Sequence, residues 1–256
     1  MLRIRSFGHG PSLVALHGFT LTGEQFSSFA EILGREVIAP DLPGHGESRN
    51  APSLFEDVVK AVCELTSSFG DPVPLAGYSQ GGRLALAAAL LCPRSVERLV
   101  LISATAGIEQ EQLRRNRVTQ DDALAARIEL IGVERFINEW TTAGLTSTAG
   151  MEPADREQDR RIRLANTAQG LASALRGYGQ GVQPVVWPEL QTLAMPVLVV
   201  AGADDARYAD LAVRMAEQIP QAELVIVSNA GHNPLVDNQG ETVDAISAFL
   251  SGDRRP

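Results

Sequence analysis

The chain has 256 residues, 45% hydrophobic and 21% charged, the make-up of a soluble globular protein with one sizeable core and room for an inserted subdomain. Its 22 basic and 31 acidic residues leave a formal charge of −9, which argues against a nucleic-acid binder held by bulk electrostatics. The longest apolar run, Leu84 to Leu91, is too short to span a bilayer, and the N-terminus lacks the apolar core of a signal peptide. A cytoplasmic protein with no membrane insertion is expected.

Met1 to Phe7 alternates like an edge strand, and Ser12–Leu16 and Glu36–Ala39 read as buried strands. Phe55 to Phe69 has helical spacing. Val73–Ala76 is a further strand, followed by Gly77-Tyr78-Ser79-Gln80-Gly81 and a helix-forming run from Arg83 to Leu91. Arg98–Ile102 is another buried strand. Residues 107–188 break this rhythm: they hold few β-rich runs and many charges, with helix-like stretches at Asp121–Ile131, Val133–Trp140 and Ala154–Ala168. The alternation then resumes with a strand at Pro196–Ala201, a helix from about Ala206 to Ile219, a strand at Glu223–Val227 and a helix from about Val236 to Leu250. Such alternation predicts an α/β fold with a mostly parallel central sheet and helices on both faces. Its core spans 1–106 and 189–256, and 107–188 form an inserted helical cap. The two cysteines, Cys63 and Cys92, are unpatterned and predict neither a disulfide framework nor a metal site.

The segment around Ser79 matches G-x-S-x-G in the strand–turn–helix context that this motif needs, where a sharp turn lifts the hydroxyl clear of the sheet. A serine so placed requires a general base and an acid to orient that base. His232, in Gly231-His232-Asn233-Pro234 after the last strand, is the candidate base, because such loops sit above the carboxyl ends of the strands. Asp205 is the preferred acid, with Asp204 as runner-up or as a helix cap. The amides of Phe19, in Leu16-His17-Gly18-Phe19, and Gln80 would form an oxyanion hole. His17 is expected to brace its loop, His45 to be structural, and His9 to lie on the surface.

The ordered set His17-Gly18-Phe19, Asp41-Leu42-Pro43-Gly44-His45-Gly46, G-x-S-x-G-G, Gly-x-x-Asp and Gly231-His232 resembles the α/β-hydrolase superfamily across essentially the whole chain. A narrower resemblance rests on several segments. They are Gly77 to Arg83, Gly170 to Gly181 with Gln183-Pro184 and Trp187-Pro188-Glu189-Leu190 after it, and Arg114-Arg115-Asn116-Arg117 with Phe136 and Trp140. These resemble the 2-succinyl-6-hydroxy-2,4-cyclohexadiene-1-carboxylate synthases of menaquinone biosynthesis.

That resemblance implies a lyase that eliminates pyruvate from a small polycarboxylate substrate, with Ser79, His232 and Asp205 as the proton-abstracting relay. It places Arg83, Arg117, Arg163, Tyr78 and Trp140 at the substrate, with Arg114, Arg115, Arg160 and Arg161 as competitors for the cap positions. Arginine suits carboxylates through its bidentate fork. Two departures stand out: Arg207-Tyr208 replaces a Lys-Phe pair of the family pattern, and the first loop lacks a Gly-Ser-Gly. No metal cluster, phosphate loop or dinucleotide fingerprint occurs, so cofactor-independent chemistry is expected. A carboxylic-ester or carbon–carbon bond hydrolase is the main rival reading, and a non-catalytic ligand-binding protein of the same fold is the second.

Overall fold

The computed structural model describes residues 2–51, 53–142, 148 and 151–252. Seven strands pair into one sheet: β1 (Ile4–Phe7), β2 (Ser12–Leu16), β3 (Glu36–Pro40), β4 (Val73–Tyr78), β5 (Val96–Ile102), β6 (Val197–Gly202) and β7 (Ala222–Val227). Their order is β1-β3-β2-β4-β5-β6-β7, with β1 antiparallel to β3 and every other pair parallel. Successive side chains of β2 serve opposite faces, as the pleat requires. Val14 and Leu16 join a core with Val58, Leu84 and Met215, while Leu13 and Ala15 join another with Phe29, Val200 and Phe249.

Flanking the sheet are α1 (Ser27–Leu33), α2 (Phe55–Ser67) and α3 (Gln80–Leu91), and, beyond β6, α8 (Ala206–Gln218), α9 (Pro234–Asp237) and α10 (Gln239–Ser251). Between β5 and β6 run α4 (Glu111–Ile131), α5 (Val133–Trp140), α6 (Pro153–Leu164) and α7 (Ala168–Tyr178). Helices α4, α5 and α7 share a smaller apolar cluster that includes Ala125, Ile128, Phe136, Ile137, Leu171 and Leu175, against which Leu164 of α6 and Phe19 of the first loop also pack. Among the described residues no helix is long and apolar enough to cross a membrane.

Three elements differ from the sequence reading. The first ten residues of α4 are mostly polar and exposed, with Leu113 and Val118 as their two apolar members, so they carry no apolar stripe to announce a helix. Helix α7, which contains Gly170 and Gly177, is not among the helix-like stretches read from the sequence. There the missing side chains serve packing, since a Cβ on Gly177 would collide with the Ser53 carbonyl and one on Gly170 with that of Gly44. The last helix is split at Asn238, whose side chain accepts from the Glu241 amide (3.3 Å) and caps α10.

The expectation for the cysteines is corrected. Cys63 of α2 and Cys92 at the end of α3 form a disulfide, with Cα atoms 6.0 Å apart and a sequence separation of 29. Helix–helix packing rather than spacing brings them together, so no pattern in the chain marked the pair.

Candidate active site

Strand β4 delivers Ser79 to a turn so sharp that the serine adopts φ 51°, ψ −107°. Such left-handed backbone in a residue with a Cβ persists only where the surroundings over-determine it. Here the Ser79 amide donates to the Ile102 carbonyl (2.8 Å) and its carbonyl accepts from Arg83 N (3.1 Å). The glycines around it are steric requirements. A Cβ on Gly81 would strike the Leu16 carbonyl, and one on Gly82 would lie 2.7 Å from the Ala104 Cβ. Gln80 opens α3, so its amide has no helical acceptor and is directed into the space above the turn.

Ser79 Oγ lies 2.9 Å from His232 Nε2, and His232 Nδ1 lies 2.7 Å from Asp205 Oδ2. All three come from loops at the carboxyl ends of β4, β6 and β7, where open α/β sheets place their ligands. Asp205 is buried, whereas Asp204 is exposed. The other oxygen of Asp205 accepts the Tyr208 amide (3.3 Å), so the carboxylate that orients the imidazole also caps α8. The rings of Tyr208 and Tyr78 flank the imidazole at centroid distances of 4.5 and 5.7 Å.

The first loop faces this group. Leu21 N closes a turn onto Gly18 O (3.2 Å), and a side chain on Gly18 would meet the Tyr78 ring at 2.6 Å. His17 braces the loop: its Nε2 accepts from Leu42 N (2.9 Å), which leaves the proton on Nδ1 to face the Gly18 carbonyl (2.9 Å). His45 is equally buried, against Pro43 O and the Tyr178 hydroxyl (both 3.1 Å), while His9 is exposed.

Burial lowers the pKa of His17 to about 4 and that of His45 to about 3. In the unfolded chain both take up a proton below the ordinary value of about 6.5. The unfolded state therefore binds more protons across that window, and stability falls as pH drops from about 7 toward 4. For His17 alone the loss amounts to about 3 kcal/mol at the acid end. Urea midpoints at pH 7.5 and 4.5 check this; equal midpoints would contradict it.

A narrow cavity opens beside Ser79 and His232, walled by Phe19, Tyr78, Trp140 and Arg163. Trp140 stands edge-on to Phe19 (5.7 Å) and packs on Phe136 (5.3 Å). The arginines divide into two groups. Arg163 reaches the cavity, but its Nε and NH2 are engaged by Asp159 (2.7 and 3.0 Å) and its NH1 by the Thr20 hydroxyl. Arg117, close enough for its charge to act on Arg83, is paired with Asp121 (2.7 Å) and with Gln180.

Arg83 is buried, and among the described residues its side chain has one partner, the Tyr178 carbonyl (3.2 Å). Burial, reinforced by the like charge of Arg117, brings its pKa down to about 10, still well above neutrality. Among the competing arginines, Arg115 and Arg160 pair with Glu111 and Glu134 at the surface, and Arg207 is exposed over the Tyr208 ring.

Several residues of this site carried no signal in the sequence. Asp121, Asp159 and Gln180 are the buried partners of the cap arginines, and Asn166 bonds both the first loop and the Asp41–Ser48 loop. The spacing of four between Arg117 and Asp121, and between Asp159 and Arg163, is the one pattern that could have exposed the ion pairs.

Residues 13–245 match the alpha/beta hydrolase family. A Bacillus subtilis (strain 168) protein, provisionally named a 2-succinyl-6-hydroxy-2,4-cyclohexadiene-1-carboxylate synthase, is 33% identical over 94% of this chain and 90% of its own. The Yersinia pestis (strain Pestoides F) protein named as the same synthase is 30% identical over 94% and 88%. The solved structure of MenH from S. aureus superposes with a TM-score of 0.92 at 30% identity, covering both chains in full. The chain therefore belongs to the alpha/beta hydrolase family, and within that family it is similar to the 2-succinyl-6-hydroxy-2,4-cyclohexadiene-1-carboxylate synthases.

Proposed function

We propose that the chain is a 2-succinyl-6-hydroxy-2,4-cyclohexadiene-1-carboxylate synthase. It eliminates pyruvate from 2-succinyl-5-enolpyruvyl-6-hydroxy-3-cyclohexene-1-carboxylate in menaquinone biosynthesis. Ser79, relayed through His232 and Asp205, takes the ring proton. The electron pair left on carbon moves through the ring, and the bond to the enolpyruvyl oxygen breaks. The departing enol takes up a proton and leaves as pyruvate. In this reading, negative charge that builds on the substrate's oxygen is stabilised by the amides of Phe19 and Gln80.

Helices α4–α7, within residues 107–188, serve in this reading as the cap that closes the site from water and brings Arg117, Arg163 and Trp140 over it. Neutral ester hydrolysis would be better served by an apolar wall than by buried guanidinium groups.

The observation that carries the proposal is Arg83. It is a buried cation on the first turn of α3, four residues after the serine, and among the described residues its side chain has the Tyr178 carbonyl as partner, so it retains donors for a carboxylate and disfavours an uncharged pocket occupant. Removing it by Arg83→Ala is expected to raise KM for the elimination about tenfold or more, with a smaller change in kcat. Arg83→Lys, which keeps the charge and loses the fork, should fall between. Steady-state pyruvate release reads both constants, and an unchanged KM in Arg83→Ala would remove Arg83 from the substrate site.

A further inference from the structure

We infer that Asn166, a side chain of the α6–α7 junction, positions the Phe19 amide of the oxyanion hole. The inference rests on the assignment of Ser79 and Phe19 given above. Gly18, Phe19, Thr20 and Leu21 form one turn, closed by the Leu21 amide on the Gly18 carbonyl. Thr20 occupies its third position with φ 68°. Turns with a positive φ there call for glycine or asparagine, and a β-branched residue in that region is a true outlier. A backbone of this kind is maintained by external bonds rather than by its own preference.

For Thr20 those bonds come from the cap. Its carbonyl accepts from Asn166 Nδ2 at 2.7 Å, and its hydroxyl is engaged by Arg163. Asn166 uses its remaining groups on two other segments. Nδ2 also donates to the Arg163 carbonyl (2.9 Å), and Oδ1 accepts from Gly46 N (2.9 Å) in the Asp41–Ser48 loop. The side chain is 4% exposed, so each of these bonds is shielded from water. One carboxamide thus ties together the end of α6, the loop after β3 and the turn that presents the Phe19 amide.

Helix formation does not explain this arrangement. Helix α6 ends at Leu164, and α7 begins after its own cap, where Thr167 Oγ1 accepts from Gly170 N (3.1 Å). Without the Asn166 donors the Thr20 carbonyl loses its partner and the turn relaxes toward negative φ at Thr20. The Phe19 amide, two peptide groups away in the same turn, swings with it. An oxyanion donor acts only if it points at the developing charge, so a displacement of about 1 Å is enough to weaken it severely.

The test uses two variants and a reagent independent of the natural substrate. An alkyl fluorophosphonate reacts by attack of Ser79 Oγ on phosphorus; the serine proton passes to His232, fluoride leaves, and the phosphoryl oxygen takes the oxyanion position. Asn166→Ala removes all the bonds, while Asn166→Asp keeps the acceptor for Gly46 N and loses both donors. Both are expected to slow labelling per folded molecule about tenfold or more, and to lower kcat for pyruvate release in proportion, with KM within about twofold.

Labelling and kcat within about twofold of wild type in both variants, whatever happens to the melting temperature, would overturn the inference and leave Asn166 a packing residue. Should the wild type release no pyruvate while the variants still label slowly, the synthase reading falls and the role of Asn166 stands.

Discussion

Ser79→Ala is expected to lower kcat for pyruvate elimination about 10³-fold while KM changes little. The hydroxyl stands 2.9 Å from His232 Nε2, both residues line the cavity, and the imidazole is flanked by Tyr208 and Tyr78. Deleting it removes the atom that carries the proton from the ring carbon to the relay. The bonds that shape the turn run through the Ser79 backbone, to Ile102 O and from Arg83 N, and alanine retains them. Binding should therefore survive, and isothermal titration with the product beside a stopped assay separates the two effects. A drop of only a few-fold would mean that His232 reaches the substrate without the serine.

Asp205→Asn is expected to cost about 10²–10⁴-fold in kcat with the fold intact. The carboxylate holds His232 Nδ1 at 2.7 Å and so keeps the lone pair of Nε2 toward Ser79. An amide nitrogen in its place makes Nδ1 the acceptor and moves the ring proton to Nε2, which then cannot receive the serine proton. The second contact of the acid, from the Tyr208 amide at 3.3 Å, is kept by the asparagine oxygen, so α8 remains capped. The melting temperature should accordingly stay near that of the wild type. An equal loss of stability and activity would assign Asp205 a structural role instead.

Much of the core was legible because its signals are local. Buried parallel strands are near-continuous apolar runs, and Ser12–Leu16 matches β2 residue for residue. The elbow declared itself by glycines whose positions are dictated by contact with Leu16 and Ala104. The pattern of glycine, two residues, then aspartate, counted from Gly202, prefers Asp205 over Asp204, and of the two it is Asp205 that is buried.

Helices α4–α7 were less legible, since their packing is long-range. Helix α7 depends on glycines that fit Gly44 and Ser53, more than 100 residues away, and the Cys63–Cys92 bond depends on how α2 meets α3. The arginines were visible as residue types, but their state was not. Arg163 and Arg117 are held by Asp159 and Asp121, whereas among the described residues Arg83 is held by a carbonyl. Single-sequence reading gives the charge at each position and leaves its compensation to the fold.

The central claim is that this fold runs a pyruvate elimination rather than a hydrolysis. Its most direct measurement is pyruvate release from freshly generated 2-succinyl-5-enolpyruvyl-6-hydroxy-3-cyclohexene-1-carboxylate, beside a no-enzyme control and Ser79→Ala. Elimination predicts release far above the control in the wild type and close to it in the variant. Release indistinguishable from the control, with Ser79-dependent turnover of simple aryl esters instead, would contradict the synthase reading and leave a hydrolase.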